Sequence, residues 1–231
     1  MIAENIASLR DRIRRAAERC GRNPDDILLV AVSKTFGAEQ IEEALKAGLS
    51  DFGENYVQEF ERKRSLLKGR DLRWHFIGHL QTNKVRHIID HVHLIHSVDS
   101  LRLAEEIEKR SAAAGRTVGV LLEVHTTDEA TKYGVPPEAT IELVRAIAPL
   151  KHLRIQGLMT MGPFTDNPED SRLSFRRLAE LRKAIQDESI EGVEAGELSM
   201  GMTHDFEVAV EEGATILRIG TAIFGRRPSK A

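Results

Sequence analysis

Lys34 closes the run Leu28-Leu29-Val30-Ala31-Val32-Ser33, where an apolar strand should be ending. A primary amine in that place has three chemical uses. It can pair with a carboxylate, bind a phosphate as a point charge, or attack a carbonyl to form a Schiff base. The third use needs an uncharged amine, and apolar surroundings and a nearby cation both favour that form. Glu54 is the candidate partner for the first use, and Arg218, at the end of another strand, is the candidate cation for the third. An anion site is suggested by the stretches "LSMGM" (198–202) and "RIGTAIFG" (218–225). Gly201 and Gly220 let the backbone approach a ligand, Ser199 and Thr221 offer hydroxyls, and the amides of a following helix start complete a phosphate cradle. Taken alone, such glycines also serve as plain turns.

Eight short β-rich runs must position these groups: residues 27–33, 51–54, 74–78, 94–98, 118–124, 155–159, 197–200 and 215–219. Between them lie amphipathic stretches with helical period, several ended by glycine (Gly48, Gly69, Gly115) and two begun near proline (Pro137, Pro168). Strands alternating with helices predict parallel pairing and right-handed crossovers. The count of eight predicts a closed (β/α)8 TIM barrel, an α/β fold whose chemistry sits where the strands end. The short second and seventh runs keep an open sheet as the alternative. Ile2, Ile6, Leu9, Ile13, Ala16 and Ala17 share one helical stripe, which predicts an extra N-terminal helix before the first strand. One domain over 1–231 is expected, because little chain follows Gly220.

The bulk numbers bound the functional classes. With 231 residues, 41% hydrophobic and 30% charged, the chain can build a full core. A net charge of -3 argues against nucleic acid. A single cysteine, Cys20, gives no disulfide framework, so a cytoplasmic location is expected. No apolar run reaches the roughly 20 residues of a membrane span. Glu4, Asp11 and Glu18 in the N-terminal helix argue against a transit peptide. His87 and His91 have the spacing of a zinc helix, but Asp90 is not placed as that motif needs, and no metal is expected.

A Schiff-base lysine on the first strand together with a phosphate site after the seventh and eighth strands suggests pyridoxal 5'-phosphate (PLP). The motifs "AVSKT", "FGENYVQE", "WHFIGHLQTNK", Glu129-x-x-Lys132-x-Gly134, "GLMTM", "LSMGMTHDF" and "RIGTAIFG" resemble those of the pyridoxal phosphate homeostasis protein family, a relative of the alanine racemase barrel domain. The resemblance runs from about Ile27 to Arg226. It implies an alanine racemase N-terminal-domain-like barrel with PLP held by Lys34 as a Schiff base. It further implies phosphate contacts from Ser199, Gly220 and Thr221, Arg218 facing the pyridine nitrogen, and Asn55, His75 and Met200 lining the pocket. Thr203 stands where the family often has serine. The family's role implies a part in vitamin B6 homeostasis, with effects on amino-acid and keto-acid balance, and a monomer that binds PLP and supplies it to apo-enzymes without catalysis is expected. A weak amino-acid racemase, or a Schiff-base aldolase, is the alternative. The racemases draw a tyrosine base from a second domain, and the two tyrosines here are Tyr56 and Tyr133.

Overall fold

The computed structural model describes residues 1–127 and 133–225. Eight strands follow in chain order: β1 (Leu28–Val32), β2 (Asp51–Glu54), β3 (Arg73–Phe76), β4 (Val92–Val98), β5 (Val118–Glu123), β6 (Leu153–Met159), β7 (Glu197–Ser199) and β8 (Ile216–Ile219). All pair in parallel with their sequence neighbours, and β8 returns to β1 with Val30 opposite Arg218. The sheet is therefore a closed barrel, and the open-sheet alternative is overturned. The helices are α1 (Ile2–Arg19), α2 (Ala38–Lys46), α3 (Val57–Leu66), α4 (Leu101–Ala113), α5 (Pro137–Ile147), α6 (Arg172–Asp187), α7 (Phe206–Glu211) and α8 (Thr221–Phe224). The crossover from β3 to β4 uses a 3₁₀ segment, Thr82–His87, in place of an α-helix.

Strand side chains alternate between the helical shell and the barrel interior. Outward residues such as Ala31, Phe52, Phe76, Leu198 and Leu217 join the helices in one large apolar core. The interior is different. Its apolar part is a small cluster of Val30, Leu94, Leu121, Met159 and Ile216, with Leu28 packed against it. The buried polar residues His75, His96, Glu123, Ser199 and Arg218 sit on β3, β4, β5, β7 and β8.

The N-terminal helix buries the predicted stripe, Ile2, Ile6, Leu9, Ile13, Ala16 and Ala17. It packs against α2, α7 and α8. The Asn5 side-chain amide donates to the Ile223 carbonyl at 2.9 Å, which ties α1 to the short helix after β8.

Candidate functional site

At the C-terminal ends of the strands lies a cavity of about 300 Å³ lined by Lys34, Asn55, Thr203, Arg218, Gly220 and Thr221 among others. Its lining includes the exposed apolar side chains of Met161, Phe164 and Met202. A larger cavity, about 810 Å³, opens on the opposite face beside Arg10, Asp51, Arg73 and Glu197. Its two central arginines are engaged: Arg73 pairs with Asp51 at 2.6 Å, and Arg10 donates to the Gly48 carbonyl at 2.8 Å. The smaller cavity gathers an amine, a guanidinium and a glycine turn, which is the richer chemistry.

Lys34 lies two residues beyond β1, and the backbone on both sides of it is clamped. Lys63 of α3 is fully buried and donates to the Ser33 carbonyl at 2.7 Å, to Glu54 at 2.7 Å and to Glu59 at 2.9 Å. Glu59 in turn accepts the Thr35 amide at 2.8 Å. Thr35 has φ 71°, a left-handed conformation uncommon for a β-branched residue, so the clamp holds a strained turn. Glu54, the carboxylate offered to Lys34 by sequence, is taken by Lys63 and by the Ser33 hydroxyl at 2.5 Å. Burial pushes the Glu54 carboxyl above the usual range, against the pull of Lys63.

The other wall is formed by β8 and the turn after it. Arg218 is buried. It donates through one terminal nitrogen to Ser199 Oγ at 2.6 Å and through the other to the Thr160 carbonyl at 2.8 Å. Burial lowers its guanidinium to about 10, opposed by Glu123 and Asp205, so it stays a cation at neutral pH. Gly220 follows β8, and a Cβ there would meet the Val32 carbonyl at 3.2 Å. Thr203 Oγ1 accepts the Ala222 amide at 3.3 Å, so the loop after β7 meets the start of α8. Gly201 turns that loop with φ 91°, and a Cβ there would strike Ala209 at 2.5 Å. Asp205 holds the loop by accepting the Met202 amide at 2.7 Å and the Ser171 hydroxyl at 2.9 Å. Asn55 Oδ1 is buried and accepts no hydrogen bond.

Of the residues singled out by sequence, Lys34, Asn55, Arg218, Gly220 and Thr221 line this cavity, and His75, Ser199 and Met200 do not. His75 points into the barrel but lies low, on the wall of the opposite-face cavity, bonded to Asp51. Ser199 points inward below the cavity floor, where His96 and Arg218 occupy its hydroxyl. Met200, next in line, alternates outward into the shell core. Thr203 brings a second hydroxyl to the turn beside that of Thr221, a position whose only mark in the sequence is a threonine where the family often has serine. His79 stacks on Tyr133 with ring centroids 3.9 Å apart, and with Tyr56 and Lys84 lines a neighbouring cavity. Glu129 and Lys132 lie outside the described residues.

Residues 5–228 match the family described as alanine racemase, N-terminal domain. The pyridoxal phosphate homeostasis protein of Aquifex aeolicus is 49% identical over 97% of both chains. The chain belongs to the pyridoxal phosphate homeostasis protein family. Among solved structures, PipY of Synechococcus elongatus with PLP bound is a member-like neighbour, 35% identical with a TM-score of 0.85 over 97% of this chain and 100% of that one. The family's barrel is shared more distantly with alanine racemase of Clostridium difficile, 15% identical at a TM-score of 0.75, where this chain spans 57% of that chain; this likeness concerns the fold.

Proposed function

We propose that this chain binds PLP reversibly on Lys34, serves intracellular PLP homeostasis and hands the cofactor to apo-enzymes without catalysing a reaction of its own. The observation that carries the reading is the cavity that joins Lys34, Arg218 and the Gly220–Thr221 turn at one barrel mouth. PLP bound to PipY, and the naming of the Aquifex relative, support it.

The donor set suits the cofactor. The Thr203 and Thr221 hydroxyls and the Thr221 amide at the start of α8 suit a phosphate. The orphaned Asn55 Oδ1 suits a hydroxyl donor on the ring. When bound, PLP would supply an aldehyde that condenses reversibly with a primary amine. Lys34 provides that amine, on a turn fixed from both sides by Lys63 and Glu59. Arg218 has no lone pair to offer and remains protonated, so a ring nitrogen held beside it would be disfavoured from taking a proton, and the ring would be a weaker electron sink. Tyr56 and Tyr133 line the neighbouring cavity, which leaves Lys34 without a tyrosine opposite it among the described lining residues.

Borohydride reduction of the protein with PLP, followed by digestion and mass spectrometry, tests the reading. The adduct is expected on the peptide carrying Lys34; an adduct elsewhere, or none, overturns it. Loaded protein incubated with a single enantiomer of alanine or serine should show no interconversion near the ~1 per second of a slow ordinary enzyme.

A further inference from the structure

The barrel interior carries a chain of hydrogen bonds whose protons can be assigned one by one. Arginine only donates, so Arg218 donates to Ser199 Oγ at 2.6 Å. A hydroxyl has one proton, and the other partner of Ser199 Oγ is His96 Nδ1 at 2.9 Å. That proton therefore goes to His96, whose Nδ1 must carry a lone pair. The His96 proton sits on Nε2, 2.9 Å from His75 Nδ1. His75 Nδ1 accepts, so its proton is on Nε2 and points at Asp51 Oδ1, also 2.9 Å away. Asp51 ends the chain as a carboxylate, accepting Arg73 at 2.8 and 2.6 Å and the Ser50 hydroxyl at 2.8 Å.

The reverse order fails at Ser199. Its oxygen would then face two donors, Arg218 and His96, and its own buried proton would have no acceptor. Burial drives His96 well toward the neutral ring, with the Arg218 cation adding to the effect. The hydrogen bonds of Asp51 outweigh its burial and keep it ionised far below the usual carboxylate range. The chain crosses β8, β7, β4, β3 and β2, from beneath the candidate cofactor cavity to the opposite face.

We propose that Asp51, His75 and His96 are positioning residues that act through Ser199 to orient the Arg218 guanidinium. Their one-way chain keeps the Ser199 lone pairs turned toward Arg218, which the Thr160 carbonyl holds from its other nitrogen. The effect on a ligand rests on the PLP reading above, but the proton assignments do not.

The test uses the full chain labelled with ¹⁵N-histidine. Without cofactor, at neutral pH, ¹H–¹⁵N correlation of the rings should show His75 and His96 neutral, each protonated at Nε2. A charged ring, or an Nδ1–H tautomer at either residue, overturns the chain. PLP titrations then compare two variants. His96→Leu removes the acceptor and should raise the PLP dissociation constant about tenfold, the scale of one lost hydrogen bond to a charged group. His96→Asn keeps an acceptor for Ser199 and should stay within about threefold of the wild type. Unchanged affinity in a cooperatively folded His96→Leu protein, or equal loss in both variants, overturns the positioning role. Should His96→Leu not fold, affinity of His96→Asn reduced as much as tenfold overturns it alone. A wild type that takes up no PLP overturns the cofactor reading, and the ring tautomers still judge the chain.

Discussion

Lys34, Thr221 and Glu123 each make a claim that one substitution can check. Lys34→Ala should abolish the visible absorption of the PLP-loaded protein while thermal unfolding stays cooperative, because the clamp around it uses Ser33 and Thr35 backbone and not the Lys34 side chain. Persistence of the band would assign the amine to another lysine. Thr221→Val should weaken PLP retention by about 1–2 kcal/mol, the scale of a hydrogen bond to a charged group, measured by equilibrium titration. Glu123 is buried on β5, and burial pushes its carboxyl up to about 7 against the pull of Arg218. The folded chain thus keeps this proton to higher pH than the unfolded chain. Its contribution is complete below the ordinary value of 4.5 and is lost as pH rises through about 7. Denaturant midpoints should reflect that fall across this window, and Glu123→Gln should flatten it.

Among the elements, β1, β2 and α3 share the buried Lys63–Glu54–Glu59 group. The i,i+4 placement of Glu59 and Lys63 puts both on one face of α3, and that face docks on the end of β1. Removing one member leaves a buried charge uncompensated. Lys63→Met should therefore cost about 3–5 kcal/mol of stability, measured by chemical denaturation. The double replacement Lys63→Met/Glu54→Leu should recover much of the loss, since an apolar pair carries no desolvation penalty. The same group holds Thr35 at φ 71°, so the single variant should also loosen PLP binding through the Lys34 turn.

At the scale of the whole molecule, the closed barrel leaves no sheet edge, and α1 covers part of the shell beside α7 and α8. Ile6 is 1% exposed, so Ile6→Ala should cost about 2–5 kcal/mol while calorimetry still shows one transition. Because Asn5 bonds the carbonyl of Ile223, damage to α1 reaches the helix that begins at the candidate anion turn. No helix of the described residues is long and apolar enough to cross a membrane.

The periods of 2 and 3.6, the glycine turns and the count of eight runs are local properties, and they carried the barrel and its extra helix in the linear chain. They also carried Lys34, Asn55, Arg218, Gly220 and Thr221 to the strand ends, since a residue that closes a barrel strand meets the others at one mouth. Depth and facing were decided only by closure. Strand stagger sets how far along the barrel axis a residue lies, and no periodicity encodes it. His75 was thereby lowered to the far side, Ser199 sank beneath the floor, Met200 turned outward, and Thr203 came to the turn in their place. The meeting of Lys63 with the Lys34 turn, and of His96 with Ser199, 103 positions apart, are contacts across the sequence that only the folded cylinder brings within a hydrogen bond.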